Sequence, residues 1–532
     1  MGGTLIYTVS YMTLATRLKK HVPAIVILCV AFCAQAFLLT RDIGFLVANV
    51  LPDDAFYYFE IAKNISLGLG STFDGITQTN GYHPLWMLIL TPVYSFTQAF
   101  AVGDVAPIRL ALGISAFFFL FAGIYVYRLL RTLTQNSYLL SAGMLVFSLN
   151  PFLLYETING LETSLSLFLA SVLFYTVVTM SEKPNVRTLV TMGALSALVI
   201  LSRLDLIFYV GAIGLWFLLR SVRQATVFGV TVAVCILPFF AWNFFTYGTF
   251  LTSASGANEL VNHTLIVQDH GGGMYQTAKA AFYNLHGQLR DLMIHTGAPE
   301  VTLLFIGAGL VLFVLRREHI PRKIAEISPW HLLVAGFALL FVLNVMVRFT
   351  ARTWYFVTFS ILFALLVVWV LRTVDTLTTF EKKGKTLLFA LLIAWVGMSF
   401  FVWWHKELRE QFALQREMLA ASAWFNEHVA PDTRIGVFNA GVQGYFTEAT
   451  VINLDGLVNN EAYRAMKEKK LFSYMKRAGI TYVSDFDIYL DYRYKSFFDV
   501  SSIRDHLEHI EDIQLVESTK STRGISMYRF VP

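Results

Sequence analysis

The chain has 532 residues, of which 56% are hydrophobic and only 14% are charged. A soluble globular protein has about 25% charged residues, so this composition excludes a fully soluble protein and indicates a chain that lies mostly in lipid. The net charge of +5 is small and is spread over short loops, which argues against a nucleic-acid-binding surface.

Long apolar runs occupy most of the chain up to residue 404. A membrane-spanning helix needs about 17–25 mostly apolar residues, and several runs reach or approach this length. They lie at 22–39, 108–127, 138–154, 163–180, 188–201, 206–219, 225–240, 301–315, 331–347, 354–371 and 386–404. The sequence therefore predicts a mainly α-helical, polytopic membrane protein with about eleven transmembrane helices.

The apolar run 84–102 leaves the number of spans open. Lys and Arg collect in cytoplasmic loops, and the basic clusters of this chain share one side only if 84–102 does not cross the membrane. We therefore predict an interfacial helix at 84–102, a cytoplasmic N-terminus and an extracytoplasmic C-terminus. The alternatives are an additional span with a cytoplasmic tail, or removal of the first run as a signal peptide, which would still leave the chain after Thr40 outside.

This topology divides the chain at residue 404. Residues 1–404 form the predicted transmembrane domain, with outer loops at 41–83 and 242–300. In residues 405–532 the apolar runs stop and mixed charges appear. A small soluble α/β domain is predicted there, from strand patterns at 434–438, 451–454 and 481–484 and helical patterns at 407–426 and 460–478.

Asp53 and Asp54 stand side by side after the first apolar run. Carboxylates at the edge of the hydrocarbon layer are costly to place and are usually functional. The apolar residues that follow have helical spacing, so the pair is predicted to open an amphipathic helix, whose dipole favours negative charge in its first turn. The alternative for Asp54 is a simple helix cap.

Several short motifs lie on the predicted outer face. In chain order they are Asp53-Asp54, IAKN…GLG at 61–70, GYHPLW at 81–86, GLET at 160–163, SRLD at 202–205, FTYG at 245–248, RTWY at 352–355, GVQGYF at 441–446 and NLDGLVN at 453–459. Together they resemble the GT-C glycosyltransferases, integral membrane enzymes that use polyprenyl-phosphate sugars, and especially their mannosyl- and arabinofuranosyltransferase-like members. The SRLD motif departs from the family pattern, because Leu204 replaces the usual Pro.

The resemblance implies an inverting glycosyltransferase of a bacterial inner membrane. It would move a sugar from a polyprenyl-phosphate or pyrophosphate donor to a glycan, lipid or protein acceptor outside the cytoplasm. An acid of the first outer loop would be the general base, and its position in the motif favours Asp53. Asp54 would orient the acceptor, hold a cation or tune the pKa of Asp53. Membrane lipids are further expected partners.

Arginines at the outer ends of predicted spans are candidates to receive the leaving phosphate, because guanidinium groups bind phosphate bidentately. They are Arg203, Arg348 and Arg352. The alternative for each is snorkelling to lipid headgroups, and Arg203 has a second alternative, an ion pair with Asp205.

Further substrate-binding candidates belong to the same motifs. Glu162 is predicted to bind the acceptor, to share a cation with Asp54 or to neutralise an arginine. His83 is predicted to hydrogen-bond a sugar or a phosphate. The aromatic candidates for stacking on a sugar or lining a lipid groove are Tyr57, Trp86, Trp354 and Tyr355. The alternative for these rings is the aromatic belt of the membrane interface.

The sequence leaves alternatives open for both the cofactor and the function. A divalent cation, Mg²⁺ or Mn²⁺, stays open, its ligands are unknown, and no other cofactor is expected. A lipid or glycolipid transporter or flippase is one competing function, and a non-catalytic cell-envelope assembly protein is another. Transporters place charges near the bilayer midplane and often contain repeats, whereas here the charges gather on one face.

Overall fold

Helices form most of the chain up to Trp403. The computed structural model describes residues 21–271, 273–294, 299–315, 328–344, 352–377, 382–403, 405, 410–515 and 524–532. The helices are Val22–Leu39, Ile43–Asn49, Asp53–Ser66, Pro84–Ala99, Val105–Leu133, Ser137–Ser148, Pro151–Glu156, Thr163–Met180, Val186–Ser202, Ile207–Arg220, Val222–Tyr247, Ser253–His270, Met274–Ile294, Pro299–Leu315, Pro329–Val342, Phe359–Leu377 and Lys382–Trp403.

Five helices among the described residues are long and apolar enough to cross a membrane. They are Val22–Leu39, Val105–Leu133, Thr163–Met180, Val222–Tyr247 and Phe359–Thr376. Shorter apolar helices accompany them at Ser137–Ser148, Val186–Ser202, Pro329–Val342 and Ala390–Ser399. The protein is therefore a mainly helical, multi-pass membrane protein.

One predicted span is broken in the structure. The run 138–154 forms the helix Ser137–Ser148 and a separate short helix, Pro151–Glu156. Proline cannot continue a helix, because it lacks the N–H and its ring clashes with the preceding turn. Asn150 caps the second helix instead, accepting hydrogen bonds from the backbone N–H groups of Phe152 and Leu153 at 3.0 and 3.2 Å.

The first loop, residues 41–83, folds into the core around the helix Asp53–Ser66, here called the Asp53 helix. The sequence predicts that one face of this helix is apolar, but the five consecutive residues Ala55–Phe59 are all buried. The helix Pro84–Ala99 covers one side, with the rings of Phe59 and Tyr94 6.4 Å apart. The short helix Gly441–Phe446, here called the Gly441 helix, covers another, so the Asp53 helix is enclosed rather than half-exposed.

The second predicted loop, 242–300, is largely helical. Ser253–His270 and Met274–Ile294 are helices that follow one another across a glycine turn. Gly271 and Gly273 have φ angles of 78° and 130°, which only glycine adopts readily. The polar, glycine-rich composition of this segment therefore reflects exposed helices and the turn between them.

The C-terminal region, residues 410–532, contains a five-stranded mixed sheet with the order β2-β1-β3-β5-β4. The strands are β1 (Arg434–Val437), β2 (Thr450–Asn453), β3 (Tyr482–Phe486), β4 (Leu507–Ile513) and β5 (Ile525–Phe530). Strands β1, β2 and β3 are parallel, whereas β5 pairs antiparallel with β3 and β4. The helices of this region are Gln415–His428, Gly441–Phe446, Asn460–Lys467 and Leu471–Arg477.

The backbones of the C-terminal region and the first loop are in direct contact. A Cβ at Gly441 would lie 2.1 Å from the carbonyl oxygen of Asp53, and a Cβ at Gly81 would lie 1.9 Å from that of Leu457. Neither contact leaves room for a side chain. The glycines of the two motifs thus bring the sheet region against the start of the Asp53 helix.

Candidate active site

Two clefts meet at Asp54, and Asp54 and Trp354 line both of them. The first cleft is also lined by Tyr57, Tyr58, Gly81, Tyr82, His83, Leu161, Glu162, Arg203, Leu204, Asp205, Thr252, Ala254, Ser255, Asn258, Glu259, Tyr355 and Leu457. The second cleft lies under the C-terminal region, and its other lining residues include Asp53, Arg352, Gln411, Asn439, Phe486, Asp487, Tyr489 and Asp491.

Asp53 binds the C-terminal region. Its Oδ2 accepts a hydrogen bond from the N–H of Gly441 at 3.0 Å, and its Oδ1 accepts one from the N–H of Val442 at 2.7 Å. These N–H groups belong to the first turn of the Gly441 helix, where backbone donors have no partner within the helix. Burial raises the pKa of Asp53 to about 7, although both N–H groups favour the ionised form.

Asp54 has different surroundings. Within the described part of the chain, its carboxylate has no hydrogen-bond or ion-pair partner, and it faces the junction of the two clefts. Burial raises the pKa of Asp54, the charge of Arg352 opposes this, and the carboxylate of Glu162 adds to it. Because no hydrogen bond within the described residues occupies its oxygens, Asp54 can approach a hydroxyl group that enters either cleft.

Arg203 is fully paired. Its Nε and Nη2 donate to the two carboxylate oxygens of Asp205, both at 2.9 Å, and its Nη1 lies 3.3 Å from Oε1 of Glu162. The Tyr58 hydroxyl donates to Oε2 of Glu162 at 2.9 Å, and Nε2 of His83 lies 3.6 Å from Oε1. The ion pair of Arg203 with Asp205 is therefore present, and two carboxylates balance this guanidinium.

Arg352 is an exposed cation on the wall of the second cleft. No carboxylate of the described residues lies within 4 Å of it, yet its charge acts on Asp54. It therefore remains available to an anion that enters the cleft. Arg348 lies outside the described residues.

Sequence reasoning missed Arg493, which the C-terminal region directs towards the site. It ends a π-helical turn, Tyr489–Arg493, and its guanidinium lies 5.9 and 5.8 Å from the ring centres of Tyr489 and Tyr494. Its charge opposes the rise in the pKa of Asp54 that burial causes. No motif marks Arg493; a π-helical turn, which is frequent at functional sites, is visible only in three dimensions.

The aromatic candidates separate into two groups. Trp354 and Tyr355 line the clefts, and the Tyr355 ring covers the guanidinium of Arg203 at 4.7 Å. Tyr57 touches the first cleft, but its hydroxyl lies 3.3 Å from both Asp455 Oδ2 and the carbonyl of Phe438. Its polar end therefore holds the C-terminal region.

Trp86 requires a correction. We predicted that it contacts substrate, but it is fully buried and its indole N–H donates to the carbonyl of Gly160 at 2.9 Å. A buried indole with a satisfied N–H is a core residue. Trp86 anchors the helix Pro84–Ala99 to the GLET motif.

The predicted cation site between Asp54 and Glu162 does not fit a hard divalent ion. Both oxygens of Glu162 are engaged, one by Arg203 and the other by Tyr58. Among the described residues, no group of three His, Cys, Asp or Glu side chains is placed to hold a metal. Mg²⁺ and Mn²⁺ need several oxygen ligands with free lone pairs, and this pair offers them mainly on Asp54.

Comparison with known proteins gives a partial match by sequence. A family model described as a domain of unknown function, DUF8728, matches residues 406–528. No curated protein matches the chain.

Solved structures give a match over nearly the whole chain. ArnT from Cupriavidus metallidurans, bound to undecaprenyl phosphate, is 12% identical with a TM-score of 0.56, covering 94% of this chain and 97% of ArnT. The Archaeoglobus fulgidus oligosaccharyltransferase, in complex with zinc and sulfate, is 14% identical with a TM-score of 0.56, covering 94% and 72%. The same archaeal protein, AglB, with an inhibitory peptide and dolichol-phosphate, is 12% identical with a TM-score of 0.50, covering 94% and 74%. The fold of the chain is therefore similar to that of ArnT and of the archaeal oligosaccharyltransferase over nearly its whole length.

Proposed function

We propose that the chain is an inverting glycosyltransferase that moves a sugar from a polyprenyl-phosphate or pyrophosphate donor to an acceptor hydroxyl. One observation carries the proposal: Asp54 stands where two clefts meet and Arg352 lines one of them, and neither side chain has an ion-pair partner among the described residues. The structures of ArnT with undecaprenyl phosphate and AglB with dolichol-phosphate support a lipid-linked donor.

We assign the general base to Asp54 rather than to Asp53, the first choice from the motif. A base must approach the acceptor oxygen to about 2.6–3.2 Å. Both oxygens of Asp53 already accept backbone hydrogen bonds. Those of Asp54 have no such partner among the described residues and face the clefts. Asp53 then acts as a positioning residue, since it ties the C-terminal region to the turn that presents Asp54.

In the proposed step the acceptor oxygen attacks the anomeric carbon of the donor sugar as its proton passes to Asp54. The bond between that carbon and the phosphate oxygen breaks, and its electron pair leaves with the phosphate. Attack and departure occur on opposite faces of the carbon, so its configuration inverts. Positioned proton transfer of this kind contributes about 10²–10⁴-fold to rate.

We assign one substrate to each cleft from the charged residues that line it. The phosphate belongs in the second cleft, where Arg352 has no carboxylate within 4 Å among the described residues and where Asp54 also feels the charge of Arg493. The acceptor belongs in the first cleft, where Arg203 is already balanced and His83, Glu162 and the aromatic rings offer hydrogen bonds and stacking surfaces. Both clefts would lie on the extracytoplasmic side of a bacterial inner membrane, as the distribution of basic loops predicts.

The test is transfer from a polyprenyl-phosphate sugar by purified protein in lipid, with Asp54→Asn as the variant. We expect turnover to fall by about 10²–10⁴-fold while donor binding persists, because the amide cannot take the proton. Glu60→Gln is the matched control: Glu60 lies on the same helix, pairs with Lys63 at 3.3 Å and lines neither cleft. Unchanged turnover in folded Asp54→Asn protein would refute the assignment of the base.

A further inference from the structure

A third cavity opens beside the helix Ser253–His270 and is here called the side groove. Its walls come from the loop 76–78, the segment 246–252, this helix, and the helix Asn460–Lys467 of the C-terminal region. Thr252 and Glu259 line both the side groove and the first cleft. The groove and the cleft that contains Asp54 therefore adjoin at the first turns of this helix.

Two tyrosines are fixed in the wall of the side groove. The Tyr463 hydroxyl packs against Gly256, where an added Cβ would lie 2.3 Å from it. Tyr247 donates its hydroxyl to the carbonyl of Thr79 at 2.8 Å. Rings held in this way give binding area at little cost in side-chain entropy.

The polar lining of the groove is mixed in charge and rich in planar groups. Gln78, Glu259 and His263 are exposed on one wall, and Arg464 and Lys467 are exposed on the other. Neither Arg464 nor Lys467 has a carboxylate within 4 Å among the described residues. Side chains of this kind donate and accept hydrogen bonds in pairs, as a chain of hydroxyl groups requires.

Other polymers suit these walls less well. An extended peptide binds most often along an unpaired strand edge or in a row of apolar pockets, and the described walls are helices and two short loops. A lipid chain needs continuous apolar surface, whereas charged and polar residues dominate here. A nucleic acid needs a surplus of cations, and acidic residues balance them in this groove.

We propose that the side groove binds the sugars of an extended glycan acceptor, whose terminal hydroxyl reaches Asp54 through the first cleft. The proposal rests on the proposed glycosyltransferase function and names its acceptor class. Tyr247 and Tyr463 would support sugar rings, and the polar side chains around them would bind the hydroxyl groups.

Crosslinking tests occupancy without requiring turnover. A photoreactive residue is placed at position 467 of the full-length Asp54→Asn protein in lipid vesicles, and the host's envelope polysaccharide, cleaved by mild acid, is the probe. We expect a carbohydrate adduct at position 467 and none at the exposed position 476. A peptide or lipid adduct, or no adduct, would overturn the proposal. Because Asp54→Asn is used, the result does not depend on whether Asp54 is the base.

Kinetics give the second arm. The polysaccharide fragments are separated by size, and KM is measured for short and long fragments in Lys467→Trp and in its matched control, Lys476→Trp. We expect the ratio of the long-fragment KM to the short-fragment KM to rise about tenfold, equivalent to about 1.4 kcal/mol, for Lys467→Trp only. An equal ratio in the two variants would refute the groove as a glycan site even if transfer itself is confirmed.

Discussion

Asp53 and Asp54 are adjacent in sequence, but their carboxylates have different surroundings. Asp53 is saturated by two backbone N–H groups from a segment 388 residues away, whereas Asp54 faces the junction of the clefts. Adjacent positions at the start of a helix point about 100° apart, so only one of the two can meet a given neighbour. The pair is therefore one structural acid and one candidate base.

Arg352 gives a prediction for donor binding. Arg352→Gln should raise the KM for a polyprenyl-phosphate sugar roughly tenfold to 150-fold, because a hydrogen bond to a charged group contributes about 1.5–3 kcal/mol. Arg352→Lys should restore part of the loss, since the charge returns without the planar fork. Initial rates at several donor concentrations measure both. A KM unchanged in Arg352→Gln would place the phosphate elsewhere.

Arg203 should behave differently, as a stability residue. Arg203→Ala leaves the carboxylates of Glu162 and Asp205 buried without their cation, which costs about 3–5 kcal/mol for pairs of this kind. We expect a lower melting temperature and poor recovery from the membrane, measured by fluorescence-detected unfolding. If the variant keeps its melting temperature and loses only donor affinity, Arg203 is a phosphate ligand instead.

At the scale of elements, the decisive contact joins the Asp53 helix to the Gly441 helix. Gly441→Ala puts a Cβ 2.1 Å from the carbonyl oxygen of Asp53, so the two helices must separate. Both hydrogen bonds to Asp53 would lengthen and the second cleft would open. We expect reduced transfer and faster proteolysis of the C-terminal region.

Gly103→Ala is the control for this change. A Cβ at Gly103 has no heavy atom within 4 Å, so we expect neither the transfer activity nor the proteolysis pattern to change. Equal proteolysis of the two variants would mean that the Gly441 contact does not hold the C-terminal region in place.

The apolar runs predicted the helices well, because burial in lipid requires hydrogen-bonded helices whatever their neighbours. The predicted runs 22–39 and 163–180 agree with the observed helices Val22–Leu39 and Thr163–Met180.

In the C-terminal region, β1 to β3 were predicted, but β4 and β5 were not. Strand β4 is exposed over most of its length and carries charges. Charged side chains protect the edge of a sheet from pairing with another strand. They also remove the alternation of apolar and polar residues by which a strand is predicted. Strand β5 is buried at five of its six residues, so it lacks the alternation of buried and exposed residues that marks a strand with one solvent-facing side.

At the scale of the whole molecule, buried acids link stability to pH. Burial raises the pKa of Asp53 and Asp485 to about 7 and of Asp455 to about 8, against an ordinary value of 3.8. Between these values the folded protein holds more protons than the unfolded chain, so the free energy of unfolding falls as pH rises.

We therefore expect a lower melting temperature at pH 8 than at pH 5, measured by fluorescence-detected unfolding in detergent. Asp455→Asn should reduce this difference, because the amide does not titrate. Its oxygen can still accept the hydrogen bond that the N–H of Leu457 donates to Oδ1 of Asp455 at 2.8 Å. A melting temperature that rises between pH 5 and pH 8 would show that these acids are ionised in the fold.

The sequence by itself determined the membrane class, most helix positions, the GT-C resemblance and the region of the site, since these depend on local composition and short motifs. The tertiary structure decided which acid accepts backbone hydrogen bonds, that Arg203 is neutralised, that Trp86 is buried and that the charge of Arg493 acts on Asp54. Each of these depends on hydrogen bonds or charges between segments far apart in the chain, and such partners leave no local signal.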